Sequence, residues 1–324
     1  MSKAEVRTIR VAAVQMESKN GLIDTNLQHA TQLVDQAAQK KAKLILLPEF
    51  MPTGYIFTKS IWDGAEPTKG PTVQWLCENS HRLGVWLGTS FLEADGEDFF
   101  NIFVLMTPQG KEAGRVRKQR PAAFEAYFTK GDSGPHVIDT EFGKIGVGIC
   151  LENQLAYIPH MMHRQSVDLM LMPHSAPTPR HGLFFRQKQV EYYNNTLRQL
   201  AARYASLLGV PVVMVNKSGS WKTPLPGLPF GQNSTFPGLS TIADSDGTVK
   251  AQLGSEEGVI VEDVTLDPSC KRHEPPQCYG RWAWKGPWWR NIVPLLEAMG
   301  GLWYSISSQR KRRAREISSL GTRT

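Results

Sequence analysis

Long apolar runs are missing from this 324-residue sequence, as are internal repeats and, ahead of the C-terminal end, any low-complexity block. Solenoid and repeat architectures are thereby disfavoured. The first fifteen residues, MSKAEVRTIRVAAVQ, alternate charged with apolar positions and hold no continuous apolar core of a secretory signal, so a cytoplasmic setting is expected. Cysteine is scarce. The four thiols at 77, 150, 270 and 278 are too few and too scattered for a disulfide framework, which agrees with a reducing compartment. His273 between Cys270 and Cys278 matches no standard zinc spacing, and no metal is expected. Phosphate-cradling loops of the types G-x-x-x-x-G-K-[ST] and strand-linked G-x-G-x-x-G do not occur, which argues against nucleotide chemistry. G-x-S-x-G is absent, and His174 and His181 have no cysteine beside them in a papain-like context.

An excess of one charge is largely missing too. The net charge of +7 looks like a hint of an anionic partner until it is divided along the chain. Residues 271–324 hold eleven Lys and Arg against three Glu, a net of +8, and the first 270 residues sum to −1. Electrostatic attraction to phosphate, if any, belongs to the tail.

What is present reads as an alternation of strands and helices, and 41% hydrophobic residues can supply a sizeable core. "TIRVAAVQM" predicts a buried strand. The stretch after Asp24 puts Leu27, Ala30, Val34, Ala37 and Ala38 on one helical face, and "AKLILLPEF" is a short apolar strand stopped by Pro48. A helix is expected over Thr72–Leu83, then the strand "VWLGTSFL", then a hairpin of "NIFVLMT" and "EAGRVRK" across Pro108-Gln109-Gly110. "GKIGVGICLE" predicts a strand ending near Cys150, followed by the strands "VDLMLMP" and "VPVVMVN". Between these two, Val190, Tyr193, Leu197, Leu200, Tyr204 and Leu208 stripe a helix closed by Gly209. "KTPLPGLPFGQ" is expected as a loop, Asp246-Gly247 as a hairpin turn, and Gly258–Leu266 as the last strand of the body. Such alternation favours a layered α/β fold.

Ligands of α/β sheets bind beyond the carboxyl ends of the strands. Three reactive side chains are expected there: Glu49 after "LILLP", Lys118 after "EAGRVR" and Cys150 after "KIGVGI". Each alone has an ordinary explanation, as a solvated carboxylate, a surface cation and a packed thiol. Together they can transfer an acyl group. The ammonium would favour the thiolate and face an oxyanion, with help from the Leu151 N–H, while the carboxylate would move protons.

These residues resemble the nitrilase, or carbon–nitrogen hydrolase, superfamily. "IRVAAVQM", the Asn26-Leu27 helix start, "AKLILLPEFMPTGY", "RKQRPAAFEAYFTKGD" and "GKIGVGICLENQLAYIP" occur in the family's order within residues 7–266. Lys130 replaces a usual Pro, and Glu152 stands where Asp is common. The resemblance implies a four-layer αββα sandwich of the nitrilase type that pairs with a second copy through a helical face, giving a homodimer or higher oligomer. It implies catalytic Glu49, Lys118 and Cys150, with Glu125 orienting substrate or Lys118, and a mechanism that uses no cofactor. Amides, N-carbamoyl compounds and nitriles all suit such a site, the amide or N-carbamoyl case being favoured. Tyr55, Phe124, Tyr127, Asn153 and His174 are candidate pocket residues. Glu152 is either the anchor of the turn after Cys150 or a surface charge.

Residues 1–270 are thus expected as the catalytic domain and 271–324 as a basic, Trp-rich tail. In the tail, Trp289, Ile292, Val293, Leu296, Met299, Trp303 and Ile306 lie at helical spacing, interrupted by Pro294, Gly300 and Gly301. This segment is too short and too charged to span a bilayer. Either the stripe packs on the body or a partner subunit with the Arg/Lys run solvated, or residues 287–315 contact a membrane surface. An inactive scaffold whose tail recruits membrane or nucleic acid is the alternative from a different class. Nucleic acid is the least expected partner, and the intact Glu-Lys-Cys set argues against the scaffold.

Overall fold

The computed structural model describes residues 6–182, 185–229 and 231–322, so the outermost ends of the two expected units lie outside the described residues. The chain opens with β1 (Arg7–Gln15) and α1 (Ile23–Gln39) and continues through β2 (Leu44–Leu46) and α2 (Pro71–Leu83). β3 (Trp86–Asp95), β4 (Asp98–Met106) and β5 (Glu112–Arg117) complete this half. With the last strand, β14 (Gly258–Leu266), they form a six-stranded sheet in the order β14-β1-β2-β3-β4-β5. Strands β1, β2 and β3 run parallel, and the edges are antiparallel.

A second six-stranded sheet is built from β6 (Val137–Thr140), β7 (Gly143–Val147), β8 (Leu169–Pro173), β9 (Val212–Val215), β12 (Thr241–Ala243) and β13 (Val249–Gln252). The helices α3 (Tyr157–Gln165) and α4 (Gln187–Leu208) accompany it.

The alternation of side chains along a strand decides the layering. In β1, Val11 and Ala13 join Leu44, Leu46, Phe103 and Leu105 to meet Ile145, Val147, Leu171 and Val213 of the other sheet. Ala12 and Val14 point the opposite way, onto Ala30, Val34 and Ala37 of α1 and Leu76 of α2. The same division on the far side covers the second sheet with α4 through Leu197, Leu200 and Tyr204. The result is the expected sandwich, helix–sheet–sheet–helix. Each fully buried aliphatic side chain at its centre contributes about 1.5–3 kcal/mol relative to exposure.

Three expectations about individual elements are corrected. β7 stops at Val147, short of Cys150, because the chain turns at Gly148, whose carbonyl accepts from Asn153 Nδ2 at 2.7 Å. The expected loop "KTPLPGLPFGQ" contributes instead to a hairpin of β10 (Ser220–Pro224) and β11 (Gly231–Thr235). There Trp221 and Thr223 turn inward, and Pro224 sits at the strand end, where a missing N–H is tolerated. The tail is also more regular than its composition suggests. A π-helical turn, Trp288–Ile292, leads into α5 (Val293–Ile306) and α6 (Ser308–Ser318) without a break at Pro294, Gly300 or Gly301.

Pro294 stands at the join of the π-helical turn and α5, where the hydrogen-bond ladder changes step. Gly300 lies where α5 meets the body: a Cβ there would stand 2.7 Å from Tyr127 Cδ2 and 2.9 Å from the Ala126 carbonyl carbon. The buried face of α5 is therefore Val293, Gly300 and Tyr304, whereas Ile292, Met299, Trp303 and Ile306 of the expected stripe are exposed. The Arg/Lys run is not simply solvated. In α6, Arg310, Ala314 and Ile317 are buried, and Arg310 pairs with Asp98, Arg313 with Asp63 and Arg315 with Glu97.

Candidate active site

Glu49, Lys118 and Cys150 follow β2, β5 and β7, so the two facing sheets deliver them to one end of the sandwich. Pro48 ends the pairing of β2, and the next carboxylate is completely buried. Glu49 Oε1 accepts from Lys118 Nζ at 2.7 Å and from Asn101 Nδ2 at 2.8 Å, and its Oε2 accepts from the Ser175 N–H at 2.9 Å. Lys118 Nζ also donates to Glu125 Oε2 at 2.6 Å. Glu125, on the helical turn Ala123–Tyr127, accepts in addition from the Ala122 N–H and from Asn101 Nδ2, both at 3.0 Å. One ammonium thus holds two carboxylates in a fully buried site, and one amide, Asn101, ties both. Burial alone would lower the Lys118 pKa, but Glu125 and Glu49 outweigh it and the group stays charged. Burial pushes Glu125 up, Lys118 pulls against it, and the like charge of Glu49 adds to the rise.

Cys150 opens the turn Cys150–Gln154 with φ at +54°, a left-handed conformation that is costly for a side-chain-bearing residue. Phe50 (φ +48°), next to Glu49, and Ala123 (φ +45°) share this strain. Glu152 imposes the turn. Fully buried, it accepts from the Ile149 N–H (3.1 Å), the Gln119 N–H (2.7 Å), Tyr157 Oη (2.7 Å) and His136 Nε2 (3.3 Å), so it is the anchor and not a surface charge. The thiol does not behave as the sequence suggested. Burial and the Glu49 charge push its pKa well up, against the smaller pull of Lys118 and of the Ser175 N–H. Lys118 divides its charge between two carboxylates, which weakens its pull on the sulfur.

Above Cys150 lies a cavity of about 150 Å3. Of the expected pocket residues, Tyr55, Phe124 and His174 line it, as does Leu151 beside Cys150. Asn153 is not part of that wall: completely buried, it braces Gly148 O and lies 3.0 Å from His174 Nε2. Tyr127 faces away, toward Trp303 and Gly300. His174 is held neutral, its pKa pulled down to about 3 by burial and by the Lys118 charge. A larger groove of about 780 Å3 between α5, α6 and the body contains none of the three reactive groups.

Three residues escaped the sequence reading. Asn101 is a lone amide in "FFNIFVLM", and a polar residue in so apolar a strand must be paired. Ser175 follows β8, its N–H on Glu49 and its hydroxyl on Glu49 O at 2.6 Å. Lys217 follows β9, fully buried, donating from Nζ to Phe50 O at 2.8 Å, with its pKa drawn down to about 7 by burial. All three stand in or just after strands that end at the site, the one signal that could have found them.

The chain belongs to the carbon–nitrogen hydrolase family, whose profile matches residues 10–269, and it is a hydrolytic enzyme of carbon–nitrogen bonds. Among its relatives, an N-carbamoylputrescine amidase of Solanum lycopersicum is 30% identical over 281 residues, spanning 82% of this chain and 90% of that protein. A carbon-nitrogen hydrolase from Helicobacter pylori G27 superposes with a TM-score of 0.70 at 20% identity, covering 80% of this chain and 89% of that one. An amidase from Nesterenkonia sp. does so with a TM-score of 0.65 at 19% identity, covering 82% and 93%. These two structural likenesses establish the fold.

Proposed function

We propose that the protein hydrolyses an amide or N-carbamoyl compound through a thioester on Cys150, within a catalytic unit spanning residues 1–270. The observation that carries this reading is buried Lys118 Nζ 2.7 Å from Glu49 and 2.6 Å from Glu125, with both Lys118 and Glu49 close enough to the strained, cavity-lining Cys150 to act on its charge. With burial and Glu49 holding the thiol pKa up, attack and deprotonation are coupled. The Glu49 carboxylate takes the thiol proton as the sulfur bonds to the carbonyl carbon. The oxyanion faces Lys118 Nζ and the Leu151 N–H, at the start of a turn whose first amides lack acceptors within it. Glu49 then gives its proton to the leaving nitrogen, and ammonia or an amine departs. Water, losing a proton to Glu49, cleaves the thioester and restores the thiol. Glu125 holds Lys118 in position. A nitrile would instead pass through a thioimidate. Replacing Cys150 by Ala should abolish turnover of a panel of amides, N-carbamoyl compounds and nitriles while leaving the circular dichroism spectrum intact; unchanged hydrolysis refutes the scheme.

The tail supports a homodimer better than a membrane contact through 287–315. Ile292, at the end of the π-helical turn, and Leu295, Met299, Leu302 and Ile306 on α5 are exposed at alternating spacings of three and four, the pattern of a helix-pairing seam. The cations that would attract anionic lipid are partly spent, since Lys271 pairs with Asp168, Arg281 with Glu297, and Arg310, Arg313 and Arg315 with the body. Among the described residues no helix is long and apolar enough to cross a membrane. A cytoplasmic setting, which keeps Cys150 reduced, suits this reading.

A further inference from the structure

We infer that the substrate's remote group is uncharged and apolar, of the size of one ring or a short branched alkyl, and that the C-terminal segment beyond the family match selects it. This deepens, and rests on, the proposed amide or N-carbamoyl hydrolysis. The family profile ends at residue 269, yet Trp284, Trp288, Trp289, Val293 and Leu296 all line the cavity that has Cys150 at its floor. The opposite wall is aromatic too, with Tyr55, Phe57, Phe124 and Trp221. No Asp, Glu, Lys or Arg stands among the described lining residues. An ammonium or carboxylate on the substrate's far end would lose its water with no counter-ion to meet it, a strongly unfavourable exchange.

Size and shape point the same way. About 150 Å3 is the volume that, when apolar, takes up a molecule such as benzene. The rings do not form an open cage for a cation. Tyr193 and Trp289 stack on each other with centroids 5.4 Å apart and planes 11° from parallel, and Phe185 meets Trp288 edge-on at 4.8 Å. The faces that would attract a positive charge are thus partly occupied. The remote group meets ring edges and aliphatic carbons. The uncharged polar lining residues are His174, Ser175, Thr178, Gln232 and Gln154, and of these Gln154 Oε1, buried and without a hydrogen-bond partner among the described residues, can accept from a substrate N–H.

The test compares acetamide, phenylacetamide and 4-aminobutanamide, whose remote ammonium is charged at neutral pH. With the unmodified protein, kcat/KM should favour phenylacetamide over 4-aminobutanamide by at least about 100-fold, the penalty expected for an unpaired buried charge. In Trp289→Ala the ratio of phenylacetamide to acetamide kcat/KM should fall tenfold or more. Binding is read separately, by tryptophan emission of the Cys150→Ala protein titrated with the same amides. Saturable binding of phenylacetamide and none of 4-aminobutanamide supports the inference even without turnover, an outcome that would overturn the hydrolytic reading alone. Turnover or binding of the cationic amide equal to that of phenylacetamide overturns the inference and leaves the hydrolytic reading standing. Binding of neither overturns it as well.

Discussion

Replacing Glu152 by Gln removes one negative charge from the turn that Cys150 opens and leaves the side chain's size almost unchanged. The carboxylate takes four donors on Oε1, from the Gln119 and Arg120 amides, His136 Nε2 and Tyr157 Oη, and one on Oε2 from the Ile149 N–H. An amide can keep the first set as weaker neutral bonds, but its NH2 then faces the Ile149 N–H, donor against donor. Losing one charge-assisted bond outright and weakening the others should cost about 3–5 kcal/mol, the range for breaking a buried charged pair. Thermal unfolding should fall by roughly 5–15 °C. The bonds tie the segment after Lys118 to the turn at Cys150, so kcat should also fall at least about tenfold through misplacement of the sulfur.

The pH dependence adds a check. Burial raises the Glu152 pKa, but the hydrogen bonds and charge of His136 overcome it, and the folded value lies below the unfolded one of about 4.3. Its stabilisation is therefore present above about pH 4.3 and lost as pH falls through the folded value. For His136, burial lowers the pKa and Glu152 raises it further, so its share is present below about pH 6.5 and lost as pH rises through the folded value. Thermal scans from pH 3 to 9 should show both limbs flattened in Glu152→Gln. A variant within 2 °C of the parent in Tm, on the scale of about 1 kcal/mol, and with the same two limbs, would refute the reasoning.

Lys217→Met removes a buried ammonium that has no carboxylate partner among the described ion pairs, and Phe50 O keeps the Gly54 N–H at 3.1 Å. Because the folded pKa is about 7 and the ordinary value 10.5, the unfolded chain binds more protons between these values and the parent gains stability as pH rises. The substitution should stabilise by roughly 2–4 kcal/mol at pH 6 and by clearly less at pH 9 in urea titrations; equal gains would contradict the assignment. Gly300→Ala and Gly301→Ala should have opposite signs. At Gly301 nothing lies within 4 Å of the added methyl, so better helix propensity should add about 0.5–1 kcal/mol. At Gly300 the methyl meets the backbone at Ala126 and should cost about 1–3 kcal/mol, with faster proteolysis of the tail; matching Tm shifts would sink this account of α5.

Glu49, Lys118 and Cys150 were legible as a set because each follows closely on a strand, two of them apolar and the third the charged β5, and the order of the strands prescribes which ends meet. The layers were legible for the same reason: β1 alternates Val11 and Ala13 with Ala12 and Val14, all buried, and only a sheet covered on both faces needs that. The upward push on the Cys150 pKa was not, since it comes from burial and from the Glu49 charge, three-dimensional facts with no local pattern. Nor was the inward face of α5. Helical spacing identified the helix, but Gly300, read as an interruption, is a point where α5 approaches the body too closely for a side chain. Asn153 stands next to Glu152 in sequence and points beneath the strand end, a direction set by Gly148 O.

Intact-protein mass spectrometry after incubation with phenylacetamide, quenched in acid within the first turnovers, tests the central claim most directly. The account predicts a mass gain of one phenylacetyl group, located by peptide mapping to Cys150 and absent from Cys150→Ala. Rapid hydrolysis with no adduct in the parent, or an adduct on Cys77, Cys270 or Cys278 while Cys150 stays free, would contradict it.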